Sequence, residues 1–188
     1  IGFTKGYGQA EGMYGLEEYY NDLLVGTDGR EYGYLNEDSE LERTVKAAVD
    51  GYTVHSTIDV NVQSIVEKYL KKFNEEHQNE AREGNGAENI GCIIMEVNTG
   101  NILAMASYPF FDLNDARNVE ALIGSNLYYQ QENNDGTVRV EKAPTVINAS
   151  FLESMTDEEI MLNLNNLWKN FCISSTFEPG SVGKPFTV

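Results

Sequence analysis

The sequence has little positive charge and no long apolar run, and both shortages exclude classes of protein. Lysine and arginine account for 13 of its 188 residues, against 30 aspartate and glutamate residues, so the net charge is −17. A chain this acidic is repelled by polyanions, so we expect neither nucleic acid nor an anionic membrane surface as a partner. No stretch is apolar over a length that spans a bilayer, and no signal-peptide pattern is visible.

The sequence is also poor in residues that bind metals. Its two cysteines, Cys92 and Cys172, lie far apart, and its two histidines, His55 and His77, form no metal-binding motif. Cys92 lies in an apolar run, so we expect a buried small hydrophobic residue rather than half of a disulfide. The sequence therefore predicts neither a metal ion nor a cofactor.

The residues that are present predict a folded protein. Hydrophobic residues make up 41% of the chain and aromatic residues 11%, which suits one sizeable core or two small ones. Apolar residues at helical spacing over residues 16–24 predict a helix that ends at Gly26. The dipeptide Asp50-Gly51 lies between residues 42–49 and residues 52–58, and this arrangement predicts a hairpin.

The middle of the chain predicts a helix packed on a hairpin. Asp59 is placed to cap this helix, whose apolar face consists of Val62, Ile65, Val66, Tyr69, Leu70 and Phe73. An apolar run, a turn and a second run predict two strands, over residues 90–97 and 101–107, joined by the turn Asn98-Thr99-Gly100. We expect the hairpin to lie beneath the helix and regular structure to end at Pro109.

A polar insertion and one more helix are expected after this hairpin. The insertion covers about residues 112–150, and its turn sequence Asn133-Asn134-Asp135-Gly136 is typical of the tip of a small exposed hairpin. Thr156 and Glu159 have the spacing of a capping box, which predicts a helix directly after them.

The clearest chemistry lies in residues 177–186, where Ser181 and Lys184 follow the dipeptide Pro179-Gly180. A spacing of three places both side chains on one face of a helix, and Pro-Gly disfavours helix before Ser181. The hydroxyl is therefore expected at the helix N-terminus, where free backbone N–H groups can stabilise an oxyanion. A neutral amine beside a serine can take its proton and make it a nucleophile. The four-residue pattern alone is weak, because chance matches are usually solvated surface pairs.

Four regions, in this order, resemble the class B penicillin-binding proteins, the serine D,D-transpeptidases that cross-link bacterial peptidoglycan. Residues 12–29 resemble the end of the N-terminal pedestal domain, and residues 54–63 resemble the start of the transpeptidase domain. Residues 99–109 are similar to the family's first sheet hairpin, and residues 178–185 to its Ser-x-x-Lys active-site motif.

The resemblance implies an α+β fold, with the end of the pedestal in residues 1–50 and the first half of the transpeptidase domain in residues 51–188. It implies that the penultimate D-alanine carbonyl of a stem pentapeptide acylates Ser181 and that terminal D-alanine leaves. An amine from a neighbouring strand then attacks the acyl-enzyme. Lys184 is the implied base, which requires its pKa to be lowered by burial or nearby cations. The Ser181 backbone N–H is one implied donor to the oxyanion.

The resemblance also implies partners and a location. β-Lactam antibiotics are expected to acylate the same serine, Ser181, and a membrane glycosyltransferase of the cell-wall machinery is the expected protein partner. The enzyme is expected at the extracytoplasmic face of a bacterial cell membrane, anchored by a helix upstream of Ile1. The family's Ser-x-Asn and Lys-Thr-Gly motifs are expected after Val188, so this segment alone is expected to be inactive.

Three other interpretations remain open at this point. A serine β-lactamase or β-lactam sensor shares the Ser-x-x-Lys pattern, although neither needs the pedestal-like residues 12–29. A bifunctional class A enzyme is not expected to carry this pedestal motif. A catalytically degenerate scaffolding homologue draws support from Val182-Gly183, where the family more often has Thr-Phe. Glycine there costs a helix about 1 kcal/mol relative to alanine and removes a packing side chain.

Overall fold

The computed structural model describes residues 1–6, 9–35, 41–80, 84–87 and 89–186. The chain folds as two compact units, Ile1–Ser56 and Thr57–Val188. Each unit combines helices with antiparallel strand pairs, which confirms the predicted α+β fold. Across the described residues, no helix has both the length and the apolar character needed to cross a membrane.

The first unit contains two hairpins and two short helices. In chain order its elements are β1 (Thr4–Gly6), β2 (Gln9–Gly12), α1 (Gly15–Tyr19), α2 (Asn21–Leu24), β3 (Arg30–Leu35) and β4 (Leu41–Lys46). Strand β1 pairs with β2 and strand β3 with β4, both antiparallel. The single helix predicted over residues 16–24 is instead two helices. Tyr20 interrupts it, because its backbone leaves the helical region at φ −102° and ψ 16°.

The prediction of a hairpin around Asp50-Gly51 is wrong. Strand β4 pairs back to β3, and residues 51–59 form no strand. Gly51 instead lies directly against the backbone carbonyl of Leu24, so closely that a Cβ atom would collide with it. The Tyr52 N–H donates to the Leu23 carbonyl at 2.7 Å. The glycine therefore allows two backbone segments to approach, a tertiary contact that the local turn pattern does not reveal.

The second unit contains most of the regular structure. Its elements are α3 (Val60–Glu76), β5 (Ile90–Met95), β6 (Ile102–Tyr108), β7 (Asn126–Glu132), β8 (Val138–Val146), α4 (Ala149–Ser154), α5 (Asp157–Leu167), α6 (Phe171–Ser174) and 3-10 helices at Leu113–Asp115, Val119–Leu122 and Gly180–Phe186. Strand β5 pairs with β6, and β7 with β8, both antiparallel. The predicted central hairpin and its end before Pro109 are confirmed.

Helix α3 begins at its predicted cap and packs on the β5–β6 hairpin. The Asp59 carboxylate accepts the N–H groups of Asn61 and Val62 at 2.8 and 3.1 Å. The core of this layer consists of Val66, Leu70, Ala104 and Ala106, with partly buried Val62, Ile90, Cys92, Ile94, Tyr108 and Phe110 around it. Cys92 is a free thiol that contributes to this core as a small hydrophobic residue.

The buried side of α3 is narrower than the sequence predicts. The sequence pattern predicts Ile65, Tyr69 and Phe73 on the core-facing side, but these residues are 56%, 62% and 45% exposed. These three residues are spaced four apart and form a second apolar row beside the buried one. The sequence pattern predicts a single apolar face, whereas the helix has one buried row and one exposed row of apolar side chains side by side.

The outer edge of β6 is covered by Asp59, which precedes α3, and by Gln63 in the first turn of α3. The Asp59 N–H donates to the Leu103 carbonyl at 2.9 Å. The Gln63 side chain binds both backbone groups of Met105, accepting its N–H at 2.9 Å and donating to its carbonyl at 3.1 Å. These bonds satisfy backbone groups that an edge strand otherwise leaves unpaired.

The polar insertion forms the exposed hairpin that its turn sequence predicts. Asn133 and Thr137 close the tip between β7 and β8 through an N–H to carbonyl bond of 2.8 Å. Helix α5 begins with the predicted capping box of Thr156 and Glu159 and packs against β7. The β7–β8 hairpin therefore belongs to the second unit.

Candidate functional site

Ser181 and Lys184 lie together on the 3-10 helix Gly180–Phe186. In a 3-10 helix, residues three apart lie one above the other, so the two side chains share one face. Both residues are exposed. The sequence predicts a helix at this position. A helix is present, but it is a 3-10 helix and not an α-helix. The backbone therefore places a hydroxyl and an amine on the same face of one helix.

A turn at Pro179-Gly180 positions Ser181 at the start of this helix. Gly180 has a φ of +56°, a conformation that residues with a side chain rarely adopt, and a Cβ there would touch nothing within 4 Å. Backbone conformation rather than space therefore favours glycine at this position. The Val182 N–H donates to the Pro179 carbonyl at 3.3 Å and closes the first turn around Ser181.

Helix α6 fixes the start of the segment that leads to Ser181. The Asn170 side chain caps it by accepting the Cys172 N–H at 3.0 Å. The Cys172 Sγ donates to the Ala106 carbonyl of β6 at 3.4 Å, and burial raises the pKa of this thiol. A side chain at Gly91 would lie 2.9 Å from both the Cys172 sulfur and the Phe171 ring. The glycine thus allows α6 to rest directly on β5.

Asn163 ties the insertion to α5. Its side chain is buried, and its Oδ1 accepts the Tyr128 N–H at 2.7 Å. Its Nδ2 donates to the carbonyl of Tyr128 at 3.0 Å and to that of Glu159 at 2.9 Å. The amide takes the place of a neighbouring strand beside β7, so the position of Tyr128 is fixed relative to α5.

A polar groove lies where β7, α5, α6 and the end of β6 meet. Its enclosed end, of about 30 Å³, is lined by Asn89, Ser107, Tyr108, Pro109, Ser125, Asn126, Tyr128, Asn163, Asn166, Leu167, Lys169 and Phe171. Its open part, of about 540 Å³, is lined by Asn89, Tyr128, Phe171, Ser174, Ser175 and Thr176. Asn89, Tyr128 and Phe171 line both parts, so the two form one continuous groove, and Lys169 is the one charged side chain among these lining residues.

A partly buried tyrosine, Tyr108, lines the enclosed end of the groove. Tyr108 accepts a hydrogen bond from the Asn74 Nδ2 at 3.2 Å, and Asn74 itself is fully buried. Burial raises the pKa of Tyr108, the nearby Glu75 carboxylate raises it further, and the Asn74 hydrogen bond partly opposes both effects. The phenol is therefore a neutral polar group at physiological pH.

Local sequence patterns do not predict this groove. Its visible signal was the hydroxyl run Ser174-Ser175-Thr176 just before the Ser-x-x-Lys motif. The groove itself requires the insertion and α6 to meet, and local patterns do not predict that meeting. Within the described ranges, no three histidine, cysteine, aspartate or glutamate side chains are grouped to hold a metal ion.

Comparison with known proteins assigns this second unit to a family. Residues 90–188 match the family model described as the penicillin binding protein transpeptidase domain. Penicillin-binding protein PbpB of Mycolicibacterium smegmatis is 31% identical over 105 residues, which cover 54% of this chain and 15% of that protein. Peptidoglycan D,D-transpeptidase MrdA of Haemophilus influenzae is 30% identical over 105 residues, or 55% of this chain and 14% of that protein.

A third relative gives a longer alignment. The probable peptidoglycan D,D-transpeptidase PenA of Neisseria gonorrhoeae is 30% identical over 119 residues, which cover 61% of this chain and 19% of that protein. The matched part of this chain thus spans 14–19% of the length of these three curated relatives.

Proposed function

Because the chain belongs to the penicillin-binding protein transpeptidase family, among its class B members, we propose that it is part of a serine D,D-transpeptidase of peptidoglycan. Ser181 is the nucleophile and Lys184 the base. The observation that carries this proposal is the shared helical face of Ser181 and Lys184, within the matched residues 90–188.

The first half of the proposed reaction forms an acyl-enzyme. The Ser181 Oγ attacks the carbonyl carbon of the penultimate D-alanine, and its proton moves to the Lys184 amine. The Ser181 backbone N–H donates to the oxyanion that develops on the carbonyl oxygen. The peptide bond to the terminal D-alanine then breaks, and the departing amine takes the proton from Lys184.

The second half transfers the acyl group to an amine. The amine of a neighbouring peptidoglycan strand attacks the ester carbonyl on Ser181, and Lys184 accepts the proton that this amine loses. The ester bond breaks, the Ser181 oxygen regains a proton, and a new peptide bond links the two strands. A β-lactam would enter at the first step, because its strained amide acylates Ser181 in the same way.

The proposed substrate, partner and location concern the whole protein, of which this chain is a part. Its proposed substrate is a stem pentapeptide ending in D-Ala-D-Ala, and its proposed partner is a membrane glycosyltransferase of the cell-wall machinery. Its proposed location is the extracytoplasmic face of the cell membrane, with a helix upstream of Ile1 as the anchor. We propose residues 1–50 as the end of the pedestal domain and residues 51–188 as transpeptidase domain.

Labelling with a fluorescent penicillin tests the nucleophile and the base in the full-length protein. Ser181→Ala is expected to abolish covalent labelling, whereas Ser154→Ala, an exposed serine on α4, is expected to label like the wild type. Lys184→Arg keeps the charge but cannot act as a base at neutral pH, so it should lower the acylation rate by roughly 10²–10⁴-fold. Labelling that survives Ser181→Ala would exclude Ser181 as the nucleophile.

A further inference from the structure

The hairpin formed by β3 and β4 is uncovered on both of its faces. Residues 30–34 and 43–46 are all exposed, and among the described strands β3 and β4 pair only with each other. A two-stranded hairpin without a packed face is at best marginally stable in water. The hairpin is therefore a surface on which a partner can pack, and its charges indicate which kind of partner.

One face of this hairpin carries two tyrosines and two cations. Because side chains alternate along a strand, Arg30, Tyr32 and Tyr34 lie on the same face of β3. The ladder places Lys46 directly opposite Arg30 and Thr44 directly opposite Tyr32. Tyr32 and Tyr34 are 49% and 51% exposed. These five residues form a surface that we call the tyrosine–cation face.

The two cations of the tyrosine–cation face have no carboxylate partner. The first unit has lysine or arginine at four positions, namely Lys5, Arg30, Arg43 and Lys46. Lys5 pairs with Glu11 at 2.6 Å, and Arg43 pairs with Glu31 at 3.1 Å on the opposite face of the hairpin. No carboxylate of the described residues forms an ion pair with Arg30 or Lys46. The two remaining cations of this unit therefore lie next to each other.

This like-charge pair destabilises the free hairpin. Like charges directly opposite each other weaken an antiparallel ladder, because their Cβ atoms are only about 4.5–5.5 Å apart. A carboxylate bound between the Arg30 and Lys46 side chains replaces that repulsion by two attractions. The ladder pairs Tyr34 with Glu42, but this residue lies about 13 Å along the strand from Lys46. Exposed charges are screened beyond about 8 Å at physiological ionic strength, so the local pair outweighs more distant acids.

The two tyrosines indicate a protein partner rather than another polyanion. Tyrosine and arginine are over-represented among the side chains that contribute most to protein–protein binding. A tyrosine ring covers a large apolar area of a partner while its hydroxyl group stays hydrated. A phosphate polymer has no apolar side chains that pack on the Tyr32 and Tyr34 rings.

We infer that the tyrosine–cation face binds an extended acidic segment of a partner protein. Carboxylates of this segment lie at Arg30 and Lys46, and its apolar side chains pack on Tyr32 and Tyr34. This binding site lies in the first unit and is independent of the chemistry proposed for Ser181.

A designed peptide tests the site in the full-length protein. The probe is a dye-labelled heptapeptide amide with glutamate at positions 1 and 3, leucine at positions 5 and 7, and serine between them. In an extended chain all four of these side chains lie on one face. Arg30→Gln, Lys46→Gln and Tyr32→Ala should each weaken binding roughly threefold to fivefold. The same peptide with glutamine at positions 1 and 3 should bind the wild type roughly fivefold more weakly.

Arg43→Gln and Tyr19→Ala are the matched controls. Arg43→Gln removes a cation from the opposite face of the same hairpin, and Tyr19→Ala removes another exposed tyrosine of the first unit. Both should bind the acidic peptide like the wild type. Equal weakening by Arg43→Gln and Arg30→Gln, or no measurable binding to the wild type, would overturn the inference. Binding of a glycerol phosphate polymer that is weakened in Arg30→Gln but unchanged in Tyr32→Ala would also overturn it, in favour of a phosphate-polymer site.

Hydrogen exchange tests the like-charge pair without any partner. Arg30→Glu places opposite charges across the ladder, so amide exchange in β3 and β4 should slow by roughly twofold to fivefold while binding of the acidic peptide is lost. Arg43→Glu breaks the ion pair with Glu31 and should speed exchange in the same strands. Exchange in Arg30→Glu that is no slower than in the wild type would contradict the repulsion and overturn the site.

Discussion

The side-chain amide of Asn163 binds both backbone groups of Tyr128, 35 residues earlier in the chain. A helix residue thereby completes the hydrogen bonding of a strand. This relationship decides where the insertion sits relative to α5, and it places Tyr128 in the wall of the polar groove.

Asn163→Ala is expected to lower the free energy of unfolding by about 1–3 kcal/mol, because it removes both hydrogen bonds between the Asn163 side chain and the partly buried Tyr128 backbone. Asn166→Ala is the control, since Asn166 donates within its own helix to the Leu162 carbonyl. Urea unfolding measures the difference between the two variants. Faster hydrogen exchange at the Tyr128 N–H in Asn163→Ala alone is also expected, and equal exchange in both variants would contradict the anchoring role.

Gln63→Glu tests the covered edge of β6. The substitution replaces the Nε2 donor by a carboxylate oxygen that faces the Met105 carbonyl, with the Glu67 carboxylate close by. We expect a loss of about 1–3 kcal/mol in the free energy of unfolding at neutral pH. Part of this loss should return below about pH 4, where a protonated carboxyl can donate again.

The midpoint of urea unfolding of Gln63→Glu, measured at several pH values, reports this loss of stability and its partial return in acid. Ser64→Ala, the neighbouring position, should unfold like the wild type at every pH, because the Ser64 hydroxyl donates only back to Val60 in the same helix. A pH-independent loss in Gln63→Glu would point to packing rather than to the edge hydrogen bonds.

Two glycines of the Ser-x-x-Lys helix should respond differently to alanine. Gly180→Ala forces a side chain into a φ of +56° and is expected to cost about 1–2 kcal/mol in that turn, with a slower acylation of Ser181. Gly183→Ala places a Cβ about 3.4 Å from the Pro179 ring, which is an ordinary contact. It should leave acylation unchanged or speed it, because alanine favours a helix by up to about 1 kcal/mol over glycine.

Acylation rates with fluorescent penicillin compare the two variants directly. Gly180→Asn provides a useful intermediate, because asparagine adopts positive φ more readily than alanine. If Gly183→Ala were as slow as Gly180→Ala, Gly183 would itself be needed for the catalytic geometry.

The start of α5 should loosen in acid. Thr156 donates its backbone N–H and its hydroxyl to the Glu159 carboxylate at 2.8 and 2.9 Å, and these bonds hold the pKa of Glu159 below its ordinary value. When folding lowers the pKa of a carboxyl group, that group stabilises the folded state at pH values above its pKa in the unfolded chain. That contribution is lost as the pH falls through the lowered pKa.

Hydrogen exchange in the first turn of α5 measures this loss. Exchange protection, corrected for the intrinsic rate, should fall in the wild type as the pH drops below about 4.3, the ordinary pKa of glutamate. Glu159→Gln cannot titrate, so its protection should be lower at neutral pH and flat as the pH drops. A wild-type profile as flat as that of Glu159→Gln would contradict the role of the charged cap.

The sequence predicted elements whose signals are local. Asp59 and the Thr156–Glu159 pair each start a helix through bonds between residues two or three apart, and both caps are observed. The hairpin β5–β6 follows from a short apolar run, a turn and a second run. Each of these signals lies within one element, so no tertiary information is needed.

Predictions failed where a distant residue decides the outcome. Gly51 allows contact with Leu24 rather than a hairpin, and Ile65 is exposed although its spacing matches that of buried Val66. Ser181 and Lys184 could be named from their motif and its flanks, and their catalytic roles remain predictions. The polar groove could not be named, because it depends on Asn163 holding a strand that lies far away in the sequence.

Because the outer edge of β6 is covered, the central hairpin can pair with a further strand only along β5. Gln63 and Asp59 occupy the positions where another strand would form hydrogen bonds, whereas β5 pairs with β6 alone among the described strands. Any strand that enlarges this sheet, from the same protein or from another molecule, must therefore approach beside β5. The direction of sheet growth is set by a single glutamine amide and the residues that lead into α3.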